Sequence, residues 1–176
     1  MATDWAHVYR SCFPDLVRYL YRKVWDADRA RDLAQEAFAR SLDREPDDPR
    51  SWVFTVAANL ARDEARTEIR RRRHLTLVKV ERETEPAPPD ALGMLERKEA
   101  AERARAALEG LSERDREVLL LWDAGLGYRE IAERTGLSAG AIGTTLARAR
   151  RRLVEAYEEA EAGRGDASRA AGTGEE

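Results

Sequence analysis

Apolar residues recur along this chain at three- and four-residue intervals, the period of helices with one buried face. After Pro14, whose fixed φ suits a first helical turn, Leu16, Val17, Leu20 and Val24 mark a first stripe. A second helix starts near Asp28, with Leu33, Ala34, Ala37 and Phe38 on its buried face. A third has Asp48 as N-cap and Pro49 at its first position, and its stripe is Trp52, Val53, Val56, Ala57, Leu60 and Ala61. Beyond that stripe the same helix turns polar and basic through Arg62, Arg66 and Arg70, so its second half should leave the bundle and meet something negative. Thr84–Asp90 cannot be regular helix, because its closely spaced prolines remove donors and push their neighbours to extended geometry. Asp90 can then cap a helix through Leu92, Leu95, Ala104 and Leu108. Ser112-Glu-Arg-Asp115 resembles a capping box opening the Val118–Trp122 run, which Gly125 ends.

The stretch from Gly127 to Leu153 reads as a short helix, a tight turn at Gly136 and a longer helix started by Ser138. That is the outline of a helix-turn-helix, a motif that lays its second helix in the DNA major groove. In the second helix Ile142, Leu146, Ala149 and Leu153 share the inward face, leaving Ala139, Gly140, Gly143, Thr144, Ala147 and Arg148 outward. So many small outward residues allow close approach to bases but offer few long donors. Arg148 is the one candidate for a bidentate guanine contact, and Thr144 could touch a base edge or a thymine methyl. Tyr128, Arg129 and Arg150 to Arg152 are placed to meet phosphates, which set register without reading sequence. The alternative for the arginine run is that it complements the helix C-terminal dipole and keeps the surface soluble.

No stretch alternates long enough to argue for a sheet, so the expected class is all-α: two small helical domains joined by a flexible linker. The expected divisions are a first domain over 1–74, a linker with a Pro-rich break over 75–107, the helix-turn-helix domain over 108–159, and a disordered tail over 160–176. The net charge of -3 hides local patches: Arg70–Arg73 and Arg148–Arg152 are basic, while Glu81–Glu85 and the tail are acidic. Basic patches on an acidic average fit a protein that meets phosphate only at chosen places. Cys12 is alone, which excludes an intrachain disulfide and a cysteine zinc site. No segment reaches membrane-spanning length and the N-terminus has no basic region followed by an apolar run, so membrane insertion is not expected and the cytoplasm is. His7 and His74 stand in unrelated contexts and the carboxylates are scattered among arginines, so neither a catalyst nor a metal or other cofactor is expected.

In the second helix Asp32, Gln35 and Glu36 lie on one outward face. Pairing of Glu36 with Arg40, one turn on, would explain that face without a partner; a basic protein surface landing there would explain it equally.

These segments together carry a resemblance. Asp32-Leu-Ala-Gln-Glu-Ala-Phe38, then Arg50-Ser-Trp-Val-Phe-Thr-Val-Ala-Ala-Asn59 and Arg62-Asp63, resemble the core-binding and promoter-melting region of bacterial extracytoplasmic-function (ECF) sigma factors. Leu111–Leu121, Tyr128-Arg-Glu-Ile-Ala132 and Leu146-Ala-Arg-Ala-Arg150 resemble that family's second domain, in the same order and across a linker of suitable length. The resemblance spans about residues 8 to 158. It implies that the protein binds core RNA polymerase and directs it to promoters, with Asp32, Gln35 and Glu36 on the β′ clamp and the second domain on the β flap. It further implies a −10 site of Asp48, Arg50, Ser51, Trp52, Asn59, Arg62, Arg66 and Arg70, in which the loop Asp43–Ser51 with Trp52 and Asn59 captures an unstacked base. The −35 site it implies is Tyr128, Arg129, Ser138, Gly143, Thr144, Arg148 and Arg151. An anti-sigma factor is the expected inhibitor, and the linker would thread toward the RNA exit path.

The chain also departs from the family pattern. Gly143 and Thr145 stand where many members carry basic residues on the groove side, and Ala58 where a larger residue is common. The −35 contact would then rest on Arg148, phosphates and DNA shape. Trp52 has a second reading, as a core aromatic on an apolar stripe. The rival for the whole chain is a stand-alone helix-turn-helix regulator, which predicts autonomous duplex binding and a sensory first domain.

Overall fold

In a computed structural model the described backbone comprises residues 3–74 and 91–171, with side chains described over 3–67 and 96–163. Among these residues every regular element is a helix: α1 Trp5–Val24, α2 Ala27–Ala39, α3 Pro49–His74, α4 Ala91–Gly110, α5 Glu113–Asp123, α6 Tyr128–Thr135 and α7 Ala139–Ala171. The all-α expectation therefore holds for the described chain. No helix there is long and apolar enough to cross a membrane.

Two compact units form, one from Met1–Glu81 with Leu120–Gly136, the other from Arg82–Leu119 with Leu137–Glu176. In the first unit α1, α2 and α3 pack on one another. Leu16, Tyr19, Leu20, Leu33, Ala34, Ala37, Val53, Phe54 and Ala57 are buried among them. The Tyr19 and Phe54 rings meet edge to face at 5.5 Å, a favoured arrangement for aromatic quadrupoles. Expected as the start of α1, Pro14 instead lies inside it. Asp4 caps the helix three turns earlier by accepting the His7 N–H at 2.9 Å. Trp5, Tyr9 and Phe13 then form an aromatic ridge on Phe38, with Tyr9 and Phe13 stacked at 4.4 Å. That packing offsets the backbone hydrogen bond that an interior proline removes.

Asp26 caps α2 and Asp48 opens α3, each accepting a backbone N–H three residues on. The α3 stripe is shifted by about one residue from the expected one: Phe54 is fully buried, whereas Trp52 is 37% exposed. Arg29 braces α2 against α3 through two hydrogen bonds to the Glu64 carboxylate, at 2.7 and 2.8 Å.

In the second unit α4 packs on α7, and Ala107, Leu108, Leu111, Val118, Ile142, Leu146 and Ala149 are buried. Ser112 caps α5, its hydroxyl accepting the Asp115 N–H at 3.1 Å. The α6 helix closes at Gly136 with φ of 70°, a left-handed conformation that glycine adopts without a Cβ penalty.

Three stretches of the chain bear on the expected divisions. Residues 91–107, assigned to the linker division, form most of α4, the helix that the Leu92, Leu95, Ala104 and Leu108 spacing predicts, while the Pro-rich break itself lies outside the described residues. Leu120–Gly136 clusters with the first unit, because Arg22 pairs with Asp123 and Arg50 donates to the Ala124 carbonyl. The expected tail from residue 160 continues α7 as far as Ala171. Alanine and glutamate have high helix propensity, and extending an existing helix needs no new nucleus even where no apolar stripe supports it.

Candidate functional site

The outward face of α2 follows directly from its inward one. With Leu33, Ala34, Ala37 and Phe38 buried, Asp32 and Gln35 are left exposed and Glu36 sits at the boundary. Glu36 accepts from Arg40 at 2.5 Å, so the local pairing exists. Asp32 and Gln35 remain on the accessible side of that pair, on a helix held rigidly by its buried face.

Of the residues expected at the −10 element, Asp48 occupies the α3 cap, accepting the Ser51 N–H at 3.0 Å. Trp52 and Asn59 are exposed on α3, two turns apart. Arg62 donates to the Asn59 Oδ1 at 3.1 Å, and Arg66 approaches Asp63 at 3.8 Å, so these cations line one exposed run of the helix. Arg70 continues α3, and its side chain lies outside the described residues. Arg50, also expected at the −10 element, has partners of its own within the first unit. Its guanidinium turns into the first unit, donating to the Ala124 carbonyl at 2.5 Å and to the Asp15 carboxylate at 3.3 Å, with the Phe54 ring 5.9 Å away. A cation at the first turn of α3 finds these acceptors close by, and they hold its half-buried side chain in place.

Tyr128 and Arg129, at the start of α6, are exposed, Arg129 at 91% with only a one-turn pairing to Glu133. Ser138, just before α7, and Thr144 on it are exposed, Gly143 is half-buried, and Arg151 is exposed and 3.6 Å from Glu155. Thr145, expected on the groove side, is buried instead, because it falls on the stripe of Ile142, Leu146 and Ala149.

Arg148 is not the unattached donor that its spacing suggests. Its Nη2 donates to the Asp115 Oδ1 at 2.7 Å, and its Nε lies 3.5 Å from Oδ2, the oxygen that Arg152 also reaches at 2.8 Å. The Asp115 side chain is only 2% exposed. These guanidinium groups hold its carboxyl below the usual carboxylate range, the Arg148 hydrogen bond being the largest cause and burial opposing it. The same bond raises Arg148 above its ordinary value. Sequence reading had given Asp115 only a capping role. The missed signal was Arg148 and Arg152 one turn apart on one helix, next to an inward face that calls for an anion.

These features can bind anions and flat base edges. Among the described residues no group of three His, Cys, Asp or Glu side chains could hold a metal ion.

Two family models match the chain: Sigma-70 region 2 over residues 8–73 and Sigma-70 region 4 over residues 101–153. The chain is 30% identical over 152 residues to the RNA polymerase sigma factor YlaC of Bacillus subtilis, covering 83% of this chain and 87% of that protein. It is 34% identical over 146 residues to the ECF RNA polymerase sigma factor EcfG of Rhodopseudomonas palustris, covering 80% and 77%. In fold it is similar to the sigma factor RpoE of Bartonella quintana, solved with the anti-sigma factor NepR, at a TM-score of 0.63 and 23% identity over 88% of this chain and 97% of that one. Both halves of the resemblance drawn from the residues are thus matched in order, and the chain belongs to the ECF family of RNA polymerase sigma factors, which direct polymerase to promoters to initiate transcription.

Proposed function

We propose that this sigma factor docks on the β′ clamp of core polymerase through the exposed face of α2, with Asp32, Gln35 and Glu36 as its contacts. The observation that carries this is the two-sidedness of α2: Ala30, Leu33, Ala34, Ala37 and Phe38 are buried on one side, and the acidic and amide side chains stand outside them. Exposed carboxylates on a rigid helix complement basic side chains and steer encounter. Trp52 and Asn59, beside the loop before α3, would hold a base taken out of the −10 stack, and Arg62, Arg66 and Arg70 would hold phosphates beside it. Arg50 supports that loop from within. Tyr128, Arg129, Ser138, Gly143, Thr144, Arg148 and Arg151 would meet the −35 duplex, with the region 4 portion seated on the β flap. The protein works in the cytoplasm beside polymerase and is not itself a catalyst. The Bartonella quintana protein of similar fold was solved with an anti-sigma factor, and we extend that class of partner to this chain.

The test is co-elution of the purified chain with core RNA polymerase on a sizing column, without DNA. Stable co-elution is expected, with loss of the complex in Asp32→Lys/Glu36→Lys at unchanged helical content by circular dichroism. Undiminished binding of that variant would remove the α2 face from the mechanism. Salt-sensitive duplex binding without any polymerase complex would favour the stand-alone regulator.

A further inference from the structure

Among the long donors of the recognition helix, Arg148 is the one that a buried carboxylate restrains nearest its N-terminal half. Along α7 the buried stripe is Ile142, Thr145, Leu146 and Ala149, and the exposed one is Gly140, Thr144, Ala147 and Arg151. Arg148 lies where the two stripes meet, with its side chain 42% exposed. On its inner side stands Asp115, almost wholly buried and fixed by its place in the first turn of α5. Asp115 takes the Nε–Nη2 edge of the Arg148 guanidinium, closely at Nη2 and more loosely at Nε. Arg152 occupies the same carboxylate from the next turn and keeps it from rotating.

A guanidinium is planar and has two usable forks. With the Nε–Nη2 fork turned inward, the fork of Nη1 and the second Nη2 hydrogen is directed away from Asp115. A bidentate contact to the O6 and N7 of guanine needs one such fork. Ordering a long arginine in advance also reduces the rotamer entropy lost on binding.

We propose that Asp115 is a positioning residue for promoter recognition: it buttresses Arg148 so that the outer guanidinium fork is presented to a guanine of the −35 element. This rests on the reading of α7 as the −35 helix. Asp115 itself touches no DNA. It determines how sharply Arg148 discriminates, while Arg152 serves to hold the buttress.

The experiment uses holoenzyme reconstituted from core polymerase and the full chain. The probe is a promoter duplex recovered by wild-type holoenzyme from a pool randomised over both promoter elements, then varied one base pair at a time across its −35 half. Wild type should prefer guanine at one position by roughly 5- to 150-fold. Arg148→Ala and Arg148→Lys should both erase that preference, because lysine is a point charge with no second fork to offer. Asp115→Asn should reduce it roughly 3- to 30-fold, and should add nothing on top of Arg148→Lys. Arg152→Ala should lower the melting temperature and leave most of the preference. If Arg148→Ala leaves every −35 preference intact, base reading by Arg148 fails and the buttress with it. If Arg148→Ala erases the preference but Asp115→Asn weakens all sequences equally, Asp115 is only a structural tie and the inference alone is overturned. Should Asp115→Asn not fold, Arg148→Lys decides: retained guanine preference in that variant overturns the buttress.

Discussion

The two units of this protein reach similar helical packing by opposite means. The first is closed by rings: Tyr19 against Phe54, and Trp5, Tyr9 and Phe13 against Phe38, around an aliphatic centre. In the second, the buried residues on α4, α5 and α7 are alanines, leucines, valine, isoleucine and Thr145, and the start of α5 is tied to α7 by one buried carboxylate shared between two arginines. Apolar burial is indifferent to pH and tolerant of small rotations. An ion triad is directional, depends on protonation, and leaves an uncompensated buried charge if a partner is removed. The first unit has an ion pair as well, Arg29 with Glu64, but both of its side chains are more than a third exposed, so the buried ionic tie belongs to the second.

Removing the centre of the aromatic core should have the largest effect. Phe54→Ala is expected to destabilise by about 3–5 kcal/mol, read by denaturant melts, with loss of amide-exchange protection confined to α1, α2 and α3. Protection lost equally in α4 and α7 would mean that the two cores do not fail separately.

Asp115→Ala should follow at about 1.5–3 kcal/mol, with the loss mapped to the start of α5 and to α7. Its pH signature separates the two means of closure. A carboxyl whose native pKa is depressed contributes stability that is complete above its unfolded value, near the ordinary 3.8, and is lost as pH falls through the lowered native value. Wild type should therefore lose protection around Asp115 as the solution is taken below about that ordinary value, and Asp115→Asn should lack that component. Equal acid sensitivity in both proteins would place the titration elsewhere.

Trp52→Ala should be milder for the fold, about 1 kcal/mol or less, since the ring stands outside the core. The same variant should strongly reduce promoter opening, followed by permanganate reactivity of unpaired thymines in the −10 region. A large loss of stability instead would return Trp52 to the aromatic core. Least of all, Arg129→Ala should change stability by no more than about 0.5 kcal/mol, because both side chains of its one-turn pair with Glu133 are mostly exposed.

Much of the fold was legible because it is written in short periods. The buried faces of α2 and α7, the Asp48 cap and the Gly136 turn each depend on residues within one or two helical turns, and each is found where spacing puts it. Misreadings arose where a distant contact outweighed a local rule. Pro14 reads locally as a helix start, because the aromatic ridge on Phe38 is invisible in the local sequence. Trp52 admits two readings, core aromatic or base pocket, and only the Tyr19–Phe54 contact shows that the interior takes Phe54 and leaves Trp52 exposed.

The sequence by itself determined the helical class, the pairing of a region 2 block with a region 4 block, and the candidate residues on α2, α3 and α7. Periodicity, capping chemistry and motif order are all local properties of the chain. Only the tertiary structure decided what the charged side chains do. Arg50 turns inward to a carbonyl 74 residues away in sequence, and Arg148 and Arg152 converge on a carboxylate 33 and 37 residues away. Ion pairs of that separation follow from how the helices pack, because a charge takes whatever opposite charge the fold brings within a few ångströms, and no spacing along the chain encodes which one that is.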